Sequence, residues 1–210
     1  QNDTPNKIKI SKEIIATLPI ETFPGKIVVI DNERDADNAV LQLNNERIIG
    51  FDTETRPTFK KGKSNHVALI QLSTHDTCYL FRINRIGFTP AIKNLLENES
   101  LLKVGISLKD DFCMLSRLNG GQFIPKNFIE LQKFVKKYNI EDQSLQKIYG
   151  IVIGKKISKG QRLSNWEADH LTENQQLYAA TDAWSCIKIY EVLKSGKFKS
   201  PIYKIQPSSL

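Results

Sequence analysis

The chain has 210 residues, 40% hydrophobic and 25% charged, with a net charge of +7. That balance fits an ordinary globular protein with a sizeable core and excludes a low-complexity or fibrous chain. Apolar runs fall far short of a membrane span, three distant cysteines exclude a disulfide framework or a C-x-x-C zinc site, and the basic surplus favours an acidic partner such as nucleic acid.

Unpaired cysteines point to a reducing, cytoplasmic setting, and no basic-then-apolar signal segment opens the sequence. Residues 1–25 carry Pro5, Pro19 and Pro24 and a short helical candidate at Ser11 to Leu18; they read as an arm that docks on a domain. Lys26 to Asp31 is a β-branched strand, and Glu33 to Asn44 a helix with Ala36, Ala39, Val40 and Leu43 at helical spacing. Arg47 to Glu54 is a strand whose apolar start ends in two carboxylates. Arg56 to Asn65 is a basic loop. Val67 to Ser73 and Cys78 to Ile83 form a hairpin across Thr74 to Thr77.

Pro90 opens a helix through Leu96, and Leu102 to Ile106 is an apolar strand. Ser107 is placed to cap a helix running to about Leu118, which Gly120 and Gly121 end. Phe128 to Leu131 is a short strand before a helix near Phe134, and Ser144 starts another helix. The basic stretch Gly154 to Leu163 leads to Trp166 and a long helix, Leu171 to Leu193. There Thr172 and Gln175 have capping-box spacing, and Gly196 lies just past the end. Hairpin strands followed by alternating strands and helices predict one α/β domain at 26–197, a mixed sheet of five to six strands flanked by helices, with a tail at 198–210.

Tyr178 and Asp182 stand four residues apart on the long helix and share a face with Cys186, Ile189 and Leu193. A carboxylate on such a stripe needs a partner, because an unpaired buried charge is costly. Asp52 and Glu54 point to one side of their strand, at a strand end where open α/β sheets place sites. Two acids so close stay ionised only if something positive compensates, and a hard divalent cation does so. Asp111 lies on the stripe Leu108, Asp111, Leu115, Leu118, whereas Asp110 is rotated off it.

Each feature alone has an ordinary reading: a hydrogen-bonded Tyr–Asp pair, a solvated strand end, a helix turned so that both acids meet water. Together, four acids from separated segments are the construction of a two-metal site, with ions about 3.5–4 Å apart clamping a phosphoryl displacement.

The stretches GFDTETRP, VALIQL, CYLF, KVGISLKDD and RLSNWEADHLTENQQLYAATDA resemble the DEDD 3′→5′ exonucleases with Tyr in the third motif. The exonuclease domain of the Werner syndrome helicase and, more distantly, ribonuclease D belong to that group. The resemblance covers about residues 26 to 195. It implies a ribonuclease-H-like fold and removal of nucleoside 5′-monophosphates from 3′ ends with two Mg2+ or Mn2+ ions. The first motif matches Asp52 and Glu54, the second Asp111, the third Tyr178 and Asp182. On that basis Asp52, Glu54, Asp111 and Asp182 are expected to serve the metals and Tyr178 to orient the attacking water. Where the family often carries a large aromatic after the first Glu, this chain has Thr55 and Arg56.

Two basic stretches suit phosphate contacts: Arg56, Lys60, Lys61 and Lys63, and Lys155, Lys156, Lys159 and Arg162. Thr53 and Thr55 are likewise expected to contact nucleic acid. Trp166 and Trp184 read as core anchors, the three histidines lack ligand spacing, and the cysteines are expected to be buried. The expected partner is nucleic acid with a 3′ end, DNA favoured over RNA, with no membrane and no helicase or repair partner legible. Two alternatives stay open: an RNA 3′-trimming enzyme and a non-catalytic nucleic-acid binding module.

Overall fold

A computed structural model describes residues 7–58 and 66–199. Lys60, Lys61, Lys63 and the tail from 200 onward lie outside the described residues. In chain order the elements are α1 (Lys12–Thr17), β1 (Lys26–Ile30), α2 (Glu33–Leu43), β2 (Ile48–Thr55), β3 (Val67–Ser73), β4 (Thr77–Phe81), α3 (Ile83–Ile86) and α4 (Pro90–Leu96). Then follow β5 (Leu102–Gly105), α5 (Leu108–Leu118), β6 (Phe128–Glu130), α6 (Leu131–Phe134) with a 3-10 turn (Val135–Tyr138), α7 (Leu145–Ile153) and α8 (Glu173–Lys194).

The strands make one mixed sheet in the order β1-β4-β3-β2-β5-β6. Strand β3 runs antiparallel to both β2 and β4, while β1–β4, β2–β5 and β5–β6 are parallel. Side chains on a strand alternate faces, and β2 shows what that does. Ile49 and Phe51 enter a core with α2, α4 and α5. Gly50, Asp52 and Glu54 turn to the opposite face, where α8 lies. There Ala179, Ala180 and Ala183 are fully buried. A side chain on Gly50 would meet the Ala183 carbonyl at 1.9 Å, so helix and sheet touch almost backbone to backbone.

The N-terminal arm is fastened across the same face. Glu21 accepts from the Lys155 ammonium at 2.7 Å, the Lys188 ammonium at 2.8 Å and the Tyr149 hydroxyl. Burial alone would raise the Glu21 carboxyl, but these donors outweigh it and hold it at about 2.

Several local expectations need correction. Ser107 does not cap α5: its backbone is left-handed at φ 56°, and its hydroxyl makes no cap bond. Glu130 reaches across from β6 instead, accepting from the N–H groups of Ser107 (3.0 Å) and Leu108 (2.8 Å), a carboxylate at a helix start. The strand expected to reach Ile83 stops at Phe81, and Ile83 opens α3. Leu118 is exposed because α5 ends on the surface, and Cys113 is exposed while Cys78 and Cys186 are buried. The capping box on α8 forms as its spacing predicts.

Candidate active site

Strand β2 delivers Asp52 and Glu54 to the α8 face, and α8 delivers Asp182 from above. One oxygen from each of the three lies within 4.8 Å of the others. Glu54 and Asp182 are buried and Asp52 half-buried. Tyr178, one turn before Asp182 on the same helix, sets its phenol close enough to the Asp182 carboxylate for each to shift the other's titration. The Asp182 Oδ1 atom is buried and has no hydrogen-bond partner among the described residues. Trp166, fully buried, packs behind Tyr178 with ring centroids 6.0 Å apart.

Burial and mutual repulsion set the charges. Burial raises Asp52 well above the usual carboxylate range, and Glu54, Asp182 and Asp111 push it further. Glu54 is raised by burial and by Asp182 and Asp111 to about 9, opposed by the Gln71 amide. Asp182 rises by burial to about 7, restrained by Tyr178. Tyr178 itself is raised above the ordinary phenol value by burial, then by Asp182, Glu54 and Asp52. Crowded, poorly solvated hard oxygen donors with an unpartnered buried oxygen fit a divalent cation.

Asp111 stands outside this group of three. It approaches from α5 on the other face of β2 and accepts from the Thr53 hydroxyl. It is half-buried, and burial lifts its carboxyl to about 7 against that hydrogen bond.

Residues 27–196 match the family model for 3'-5' exonuclease domains. The chain belongs to this exonuclease family. It is 36% identical over 203 residues to the bifunctional 3'-5' exonuclease/ATP-dependent helicase WRN of Mus musculus, an alignment that covers 90% of this chain and 14% of that protein. Against the exonuclease mut-7 homolog of Aedes aegypti it is 27% identical, covering 78% of this chain and 26% of that protein. The chain thus spans only a small part of each of these two relatives. Among solved structures, the Aedes aegypti Nibbler EXO domain superposes with a TM-score of 0.75 at 23% identity, covering 89% of this chain and 94% of that one. Trypanosoma brucei RNase D in complex with RNA U12 superposes at 0.73 with 20% identity, covering 85% and 65%. These structures share the ribonuclease-H-like exonuclease fold.

The residues expected to grip nucleic acid divide. In this exonuclease family member Lys155 is tied to Glu21, and the Lys156 ammonium donates to the Ala16 carbonyl at 2.6 Å. Both serve the arm rather than a free surface. Arg56 is exposed and pairs with Glu167 at 3.3 Å. Thr53 spends its hydroxyl on Asp111, and Thr55 ends β2 at an irregularity in its pairing with β3. Lys159 and Arg162 are exposed. Their loop lends Ser158 and Gln161 to a cavity of about 280 Å³ that Tyr178 also lines.

Sequence reasoning missed Gln71. It sits opposite Asp52 in the β2–β3 pairing, fully buried, and its Nε2 donates to Glu54 Oε1 at 3.4 Å. A lone amide inside the apolar run VALIQLS was the signal available, since buried polar groups need a reason.

Proposed function

We propose that this chain hydrolyses the 3′-terminal phosphodiester of nucleic acid and releases nucleoside 5′-monophosphates, with Mg2+ or Mn2+ held by Asp52, Glu54 and Asp182. The observation that carries this reading is the gathering of those three carboxylates within 4.8 Å beside a buried Asp182 oxygen without a partner among the described residues. Bound divalent ions acidify a water for attack on phosphorus and neutralise charge on the departing oxygen. Asp52, central on β2, would hold the cations together with Glu54 and Asp182, and Asp111 would bear on the cluster from the other side of the strand. Burial and Asp182 raise the Tyr178 phenol above its ordinary value, so this side chain keeps its proton and would orient a water rather than act as a base.

DNA is our preferred substrate, supported by the likeness across most of the chain to the Werner-type domain. RNA trimming is the second reading, favoured by the shared fold with RNA-bound RNase D. The chemistry needs no 2′-hydroxyl. Labelled DNA and RNA strands of matched sequence, single-stranded and recessed, should be digested with each metal. Asp182→Ala should abolish release, and Tyr178→Phe should slow it by about 10²-fold, as removal of one aligned donor does, while metal still binds. Full turnover by Asp182→Ala would overturn the assignment.

A further inference from the structure

Beyond the carboxylates, the C-terminal ends of β5 and β6 open into a groove of about 730 Å³, within the size range of ligand sites. Strands β2, β5 and β6 are parallel neighbours in that order, so their C-terminal ends share one edge of the sheet. Two strand spacings place the groove roughly 10 Å across the sheet from the end of β2. Helix α5 joins the two places: Asp111 meets Thr53, while Lys109 and Phe112 line the groove.

The lining has the chemistry of a strand-binding surface. Lys109, Lys133 and Lys136 are exposed, and among the described residues none has an acid within ion-pair distance. Two acids also line it. Asp110 is exposed, whereas Glu130 is occupied by the N–H groups of Ser107, Leu108 and Gln132. Half-buried Phe112 and Phe128, with centroids 4.7 Å apart, add apolar surface to the same groove. Cations beside aromatic side chains suit an unpaired strand, whose bases are free to leave the stack.

We propose that this groove binds the single-stranded stretch lying 5′ of the nucleotide being removed, its phosphates against Lys109, Lys133 and Lys136 and a base against Phe112 and Phe128. The proposal rests on the exonuclease reading, and its test separates the two. Fluorescent single strands of DNA and of RNA, as trinucleotides and dodecanucleotides, are titrated by anisotropy without metal and then digested with Mn2+. The variant is K109Q/K133Q/K136Q; the control, K12Q/K26Q/K194Q, removes equal charge away from the groove.

The variant should bind dodecanucleotides about tenfold or more weakly, a loss on the scale of one or two backbone and base contacts. Its salt slope should flatten by about 2, from three phosphates at about 0.7 each. Trinucleotides should be digested as by wild type. An equal loss in the control, or dodecanucleotide binding unchanged in the variant, overturns the groove. If no protein digests either strand yet the binding contrast persists, the groove stands and the hydrolytic reading falls.

Discussion

Gln71 shows how a single buried side chain can matter to a charged centre it does not join. Its amide donates to Glu54 and lowers the Glu54 carboxyl against burial and two neighbouring acids. Its own carbonyl oxygen is buried without a partner among the described residues. Gln71→Leu keeps the volume and removes the donor, so Glu54 loses both its restraint and its help in staying ionised. We expect half-saturation by Mn2+ to rise about tenfold, the effect typical of losing a supporting bond behind a metal ligand. The KM for the strand should hardly move, and thermal stability should not fall. A lowered melting temperature with unchanged metal half-saturation would make Gln71 a packing residue only.

At the scale of elements, the site depends on how closely α8 approaches β2. The alanines of YAATDA and the missing side chain of Gly50 remove what would hold the two apart, and this brings Asp182 over Asp52 and Glu54. Gly50→Ala forces a Cβ to within 1.9 Å of the Ala183 carbonyl, which is backbone and cannot swing aside. The helix must lift. Overpacking of this kind costs about 1–3 kcal/mol, and Asp182 moves with the helix. Expected outcomes are a lower melting temperature and a larger proportional loss of turnover, read by calorimetry and digestion on the same preparation. Wild-type turnover would show that the close approach is not what sets the carboxylate geometry.

For the whole molecule, the acid cluster should make stability depend on pH and metal together. Glu54 is raised to about 9 and Asp111 and Asp182 to about 7, against ordinary values of 4.5 and 3.8. The native state therefore binds more protons than the unfolded chain. Without metal, stability should be fullest below the unfolded values and fall as pH rises through this window toward about 9. A cation that binds only the folded state reverses the loss: at a hundredfold excess over Kd it adds about 2.7 kcal/mol, or about 5–10 °C for a chain of this size. Differential scanning in EDTA and in Mn2+ across pH checks this. Asp52→Asn/Asp182→Asn should melt higher than wild type in EDTA and ignore Mn2+; an unresponsive wild type would leave the cluster without its cation.

Periodicity and capping chemistry made most elements legible from sequence. The pattern of β2, the α8 capping box and the four-residue step from Tyr178 to Asp182 are all local, and local physics specifies them. The motif residues Asp52, Glu54, Asp111, Tyr178 and Asp182 were read from the resemblance, since each taken alone had an ordinary structural reading. Which lysines remain available was not: Lys155 and Lys156 looked like a free basic stretch, and only the fold brings Glu21 and Ala16 to them from far along the chain. Likewise Thr53 reads as a nucleic-acid contact from sequence, while α5 sets Asp111 against its hydroxyl. The amino-acid order determines which groups can carry charge and on which side of an element they stand. Tertiary packing decides which of those charges meet, because pairing across distant segments depends on how strands and helices are laid together.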